Sequence, residues 1–183
     1  MSAYLALAVS VGLLAVLATW VFGLDVASQN NLQVWIAFIA WGAHYHSGGG
    51  SKGTTSAIAC MIWGALVGYG ATVLLMGPLA GLGAFAAPVA VGLGAALICL
   101  SSKVSLLATI PASVYGFASI FGVLLLKGED GALFGNPEQA IVPVAISIVI
   151  GAAFGYVSEA LANALTKKGG GNAEAAADPD HAG

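Results

Sequence analysis

Residues 4–23 read YLALAVSVGLLAVLATWVFG, twenty residues without a charge. An α-helix rises about 1.5 Å per residue, so roughly 20 apolar residues cross a hydrocarbon core of about 30 Å. This stretch is therefore a candidate membrane span, and it is the first of six such stretches between Tyr4 and Leu165. The second runs from about Leu32 to His46, where Ser47-Gly48-Gly49-Gly50 stops it. The third runs from about Thr54 to Met76, with Thr54, Thr55 and Ser56 as expected N-caps. Gly77-Pro78 makes a tight connection. The fourth runs from about Leu79 to Leu100, the fifth from Ser105 to Leu126, and the sixth from Ala140 to Leu165.

Composition agrees with a chain built for lipid. It is 59% hydrophobic and 7% charged, where soluble domains carry about 25% charged residues. The expected class is all-α, a polytopic membrane protein of six transmembrane helices over residues 1–165. Residues 166–183, rich in Gly, Ala and Asp, are expected to form a disordered tail. The first stretch has no basic residues ahead of it, and its apolar run is long for a signal sequence, so it is expected to be retained. The net charge of −3 offers no basic footprint for nucleic acid.

Orientation is read from the lysines, since Lys and Arg stay on the cytoplasmic side. With six spans, Lys52, Lys103, Lys167 and Lys168 share one face with both termini, and Lys127 lies on the other. Both termini are expected to be cytoplasmic.

Two helices share a pattern. Gly64-Ala65-Leu66-Val67-Gly68-Tyr69 in the third and Gly151-Ala152-Ala153-Phe154-Gly155-Tyr156 in the sixth both read G-A-x-x-G-Y. They fall at equivalent places in a 3+3 division with halves at about 4–76 and 79–165. An odd number of spans per half gives an inverted repeat, a construction found in transporters with the solute path at the interface of the halves. Glycines four apart also let helices approach closely. Gly64, Gly68, Gly151 and Gly155 are accordingly expected at helix contacts whether or not the halves share an origin.

Few polar groups are left to carry chemistry. The run from His44 to Thr54, HYHSGGGSKGT, looks like a phosphate loop only superficially, because Lys52 is followed by Gly53 rather than Ser or Thr. Free amides at the start of the third helix, with Lys52, could attract an anion; a flexible loop with one interfacial lysine is the simpler reading. His44 and His46 point about 200° apart on a helix, which disfavours one shared metal ion. A solvated interfacial pair is expected, and a pH-sensing role stays open. Glu159 is the only carboxylate inside an expected span and so a functional candidate, with Lys103 as its expected partner; it could instead simply reach the interface. Pro88, Pro111 and Pro143 are expected to interrupt the fourth, fifth and sixth helices. Trp41 could line a path with Phe38 and Tyr45, while the other tryptophans read as an interfacial belt. Cys60 and Cys99 read as small core residues.

These residues, in this order, resemble the YcdZ-type bacterial inner-membrane proteins, a domain-of-unknown-function family. The likeness spans about Val11 to Tyr156: Trp35-x-x-Phe38, an aromatic before Gly49-x-x-Lys52-Gly53, Trp63-Gly64, then Lys103, Pro111 and Gly116, and Phe154-Gly155-Tyr156. His44, His46 and the acidic loop before the sixth helix depart from it. The resemblance implies a small six-helix inner-membrane protein and brings no reaction or solute. More distantly, a Trp followed by a Gly-rich turn and a Gly-x-x-x-Gly helix is similar to the fusaric-acid-resistance and aromatic-acid exporters.

The expected function is a channel or transporter for a small neutral or weakly anionic solute. Its partners are expected to be the bilayer, the solute and further copies of the chain. The alternative is a non-transporting scaffold or accessory subunit that presents glycine faces to partner helices. No Ser/His/Asp set, His-Glu-x-x-His or carboxylate cluster supports an enzyme. No catalytic residue, metal or cofactor is expected.

Overall fold

The computed structural model describes residues 1–126 and 137–174. These residues are helical throughout, with no strand among them. Helix α1 spans Ala3–Phe22, α2 Asp25–Gln29, α3 Val34–His46 and α4 Gly50–Met76. A 3-10 segment Ala80–Phe85 leads into α5, Ala86–Ser101. A second, Ser105–Leu107, precedes α6, Ile110–Leu126, and α7 spans Pro137–Glu174. Lys127 and the tail beyond Glu174 lie outside the described residues, as does most of the loop before α7.

Local chemistry sets the ends. Ser2 caps α1 by accepting from the Leu5 amide, and Gly23 closes it. Asn31 takes a left-handed conformation after α2 (φ 56°), a geometry that Asn tolerates better than most residues. Gly48, Gly49 and Gly50 all have positive φ, which lets the chain turn from α3 straight into α4.

Four stretches are long and apolar enough to cross a membrane: Ala3–Phe22, Gly50–Met76, Ala80–Ser101 and Glu138–Thr166. Helix α3, at 13 residues, and α6, at 17, reach only about 20 and 26 Å at 1.5 Å per residue. Large apolar side chains cover the outside, including Tyr4, Val16, Trp20, Phe85, Leu93 and Leu126. Water would not tolerate such a surface, whereas lipid would.

Several expectations need correction. Helix α4 begins four residues before Thr54, so Thr54 and Thr55 are not caps; their hydroxyls donate back to the Gly50 and Ser51 carbonyls. Pro88 and Pro111 do not break helices. They stand in the first turns of α5 and α6, where no N–H is required. Only Pro143 lies in a helix interior. The fourth stretch is interrupted instead at Gly83, whose φ of 55° kinks the 3-10 segment ahead of α5. Cys60 is buried, but Cys99 is exposed on α5.

The core joins α3, α4, α6 and α7 through Ile36, Ala40, Met61, Ile120, Val144 and Ile148. The most extensive contacts are α4 on α6 and α3 on α7. Outside this core, α1 packs on α7 and α5 on α4. A side chain at Gly64 would strike the Ser113 carbonyl, and one at Gly116 the Met61 carbonyl. One at Gly151 would strike Ala37, and one at Gly155 the ring of His44. Backbones thus touch at both crossings, as small residues permit.

Candidate functional site

The one buried histidine among the described residues lies where α3 ends, α4 begins and α7 passes beside them. His44, in the last turn of α3, is fully buried. Its Nε2 lies 2.9 Å from Glu159 Oε2 and its Nδ1 lies 3.0 Å from Thr54 Oγ1. Glu159 Oε2 also accepts from the Gly50 amide at 2.6 Å. The Thr54 hydroxyl is 2.8 Å from the Gly50 carbonyl, which closes a ring of four groups from three helices.

The carboxylate is well placed electrostatically. The first amides of a helix lack partners and carry partial positive charge. The glycine turn brings these amides of α4 against α7, where Glu159 meets one of them. The anion position read from the sequence is therefore filled by the chain's own carboxylate. The expected partner Lys103 is not the one used: Lys103 sits exposed beyond α5, and Glu159 engages His44 and Gly50.

A second chain of hydrogen bonds lies alongside. Ser158 donates to the Gly155 carbonyl at 2.8 Å. It therefore accepts from both Trp41 Nε1 (2.8 Å) and the Tyr45 hydroxyl (2.7 Å). Trp41 is buried between the rings of Phe38 and Phe154, with centroids 5.8 and 5.6 Å away. The rings of Tyr45 and Tyr156 stand edge-on to His44. The His44 imidazole is thus held on every side, and the expectation that it is solvated is corrected. His46, on the opposite face of α3, is exposed and bonds Tyr115 at 3.0 Å.

Glu159 has one open side. Its side chain is 32% exposed and faces a cavity of about 210 Å³ lined by Gly50, Ser51, Tyr156, Glu159, Ala160 and Asn163. Lys52 is exposed in the first turn of α4 and Pro111 begins α6, so neither joins the cluster. Among the described residues no three metal-ligating side chains converge. Sequence reasoning missed Thr54, read as a cap, along with Ser158 and Gly50. The spacing of Trp41 and Tyr45, four apart and so on one helix face, was the available signal for a shared partner such as Ser158.

Gly49 holds the turn against Glu159. Its φ is 70°, and a Cβ there would lie 2.8 Å from Glu159 Oε1. Gly49→Ala is expected to cost about 1–3 kcal/mol for a backbone (φ 70°, ψ −173°) that essentially only glycine adopts, and to push the carboxylate off Gly50. Gly48 also has positive φ but open space around it. Gly48→Ala should therefore show the backbone cost alone, and thermal unfolding in detergent of the two variants separates the terms.

No curated protein and no solved structure matched this sequence. A family model described as "Protein of unknown function (DUF1097)" matches residues 8–163, nearly the whole helical part, and by that match the chain belongs to the DUF1097 family.

Proposed function

We propose that the chain is an integral membrane protein of six spans that lets a small neutral or weakly anionic solute cross a bacterial inner membrane. It acts as an oligomer, with both termini cytoplasmic, and performs no covalent chemistry. One observation carries this reading: a buried His–Glu cluster with an open cavity, at one end of an apolar bundle whose two halves pack alike. Helix α7 lies on α3 as α4 lies on α6, and α1 lies on α7 as α5 lies on α4. Gly155 abuts His44 and Gly68 abuts Ile120, so the two G-A-x-x-G-Y motifs use equivalent contacts. With three helices per half the repeat is inverted, the arrangement common to many transporters. In this alignment His44 answers to Ile120, Trp41 to Phe117 and Glu159 to Thr72. The ionisable pair thus stands at one crossing, and its counterpart carries no ionisable side chain.

The bland interior suits a solute that needs little charge compensation. The likeness to aromatic-acid exporters points the same way. Purified protein in liposomes is expected to accelerate volume changes driven by one class among water, urea, glycerol, short amides and small organic acids. Glu159→Gln or Trp41→Ala should change that rate severalfold. Unaltered permeability across the panel, with the protein folded and inserted, overturns the reading.

The scaffold reading has one observation in its favour. An apolar groove of about 540 Å³ runs between α4 and α5, lined by Trp63, Leu66, Gly70, Leu93, Gly94 and Leu97. Gly70 and the nearby Gly92 have open space where a side chain would go, which suits a partner helix. A stable copurifying membrane protein, without permeation, would favour it.

A further inference from the structure

The hydrogen bonds around His44 admit only certain proton counts. The Gly50 carbonyl is an acceptor only, so its 2.8 Å contact with Thr54 Oγ1 uses the one hydroxyl proton of Thr54. Thr54 Oγ1 then has only lone pairs to offer His44, and the 3.0 Å contact requires a proton on Nδ1. On the far side, Glu159 Oε2 sits 2.9 Å from Nε2 while accepting from the Gly50 amide. A neutral imidazole carries one N–H. With that proton on Nδ1, a bare Nε2 would face an ionised carboxylate, lone pair to lone pair.

The contact is resolved by one further proton, on Nε2 as an imidazolium or on Glu159 as a carboxylic acid. The two descriptions have the same proton count and no net charge. Neutrality matters here because His44 is fully buried, and a buried uncompensated charge is costly.

We propose that His44 and Glu159 form a proton-binding site that holds one exchangeable proton between His44 Nε2 and Glu159 Oε2. Without that proton, Nε2–H faces the carboxylate only if Thr54 turns its hydroxyl from Gly50 to Nδ1. The pair then carries one negative charge beside the cavity and the first turn of α4. Proton loading thus sets both the charge of the cavity and the hold on the Gly50 carbonyl.

Few other groups compete for this proton. Among the described residues, α3 adds Tyr45, edge-on to the imidazole, and His46, which points away to Tyr115 of α6. Helix α7 adds Tyr156. Helix α4 brings Lys52, exposed to solvent, and α1 brings only Tyr4, also exposed, with the chain's amino terminus. No second carboxylate and no arginine approaches the pair.

The proposal stands apart from the transport reading, since a proton can be counted with no solute present. The test is nuclear magnetic resonance of the full chain in lipid nanodiscs, with 15N-histidine and 13C-glutamate. His46→Asn and His181→Asn variants assign the three histidines. In the proton-loaded state His44 is expected either with both ring nitrogens protonated, or as Nδ1–H beside a carboxylic acid at Glu159. On raising the pH, one proton should leave and both nuclei should move together, as a coupled pair requires.

Glu159→Gln should abolish that step, because the amide cannot exchange a proton with Nε2 as a carboxylate does. Thr54→Val should also abolish it, by removing the acceptor at Nδ1. An Nε2–H tautomer facing an ionised Glu159 that takes up no shared proton as the pH is lowered, or independent titration of the two residues, overturns the proposal.

Discussion

Gly116→Ala and Gly64→Ala are each expected to cost about 3–5 kcal/mol, at the upper end of single substitutions and comparable to a domain's whole stability. Glycine occupies both sides of one crossing. A Cβ on Gly116 would stand 2.6 Å from the Met61 carbonyl carbon and 2.7 Å from its Cα. A Cβ on Gly64 would stand 2.7 Å from the Ser113 carbonyl carbon and 2.9 Å from the Phe117 amide nitrogen. These neighbours are backbone, so no rotamer change relieves the overlap and the helices must separate. Separation would reach Met61 and Ile120, both fully buried beside the crossing. In lipid, close packing is a main source of helix association, so little would remain to hold α6. Gly12→Ala and Gly92→Ala, where a Cβ meets open space, are the controls. They should be neutral or stabilising by about 0.5–1 kcal/mol, the ordinary gain of Ala over Gly in a helix. Thermal unfolding in detergent, with size-exclusion profiles, checks both halves of the comparison.

Hydropathy made most of the helices legible, because a run such as residues 4–23 has no other stable use. It misjudged ends where backbone chemistry decides. The triple glycine looked like a loop, yet its positive φ values let α4 start at Gly50, ahead of the threonines. Pro88 and Pro111 looked like breaks because the helix starts were set too early, at Leu79 and Ser105 rather than Ala86 and Ile110. The apolar character of α3 was plain, but not that thirteen residues stop short of a bilayer's thickness.

At the site, Glu159 and His44 could each be singled out as polar groups in apolar surroundings. Their meeting could not, because it depends on how α7 crosses α3, and Gly155 against the His44 ring sets that crossing. Charge alone favoured Lys103 for Glu159. Geometry favoured a histidine already desolvated by packing and a helix terminus with amides to spare. His44 and His46 show the same lesson at shorter range: two residues apart, one is in the core and the other in solvent.

Glu159→Ala is expected to destabilise the fold by about 2–3 kcal/mol, because it strips two buried donors of one acceptor. The Gly50 amide and His44 Nε2 both lose their partner. The loss stays below that of a fully buried pair, since Glu159 is 32% exposed and water from the adjoining cavity can reach part of the gap. Glu159→Gln should lose less than Glu159→Ala, as an amide oxygen at the Oε2 position still accepts from Gly50 and still faces His44 Nε2.

The sharper comparison uses the other half of the molecule. In the proposed repeat the positions answering to His44 and Glu159 are Ile120 and Thr72, both fully buried, with the Thr72 hydroxyl bonded to the Gly68 carbonyl. That half closes its crossing with no charge. Glu159→Thr alone should destabilise much as Glu159→Ala does, because His44 is left without its partner. Adding His44→Ile should recover most of the loss, since a buried ionic pair exchanged for well-packed apolar residues is often neutral in stability. A double variant whose loss equals the sum of its singles would mean the two residues act independently. Recovery of stability together with altered permeation would place the pair's value in function, and its charge would then be retained at one mouth of the bundle for what it does rather than for what it holds together.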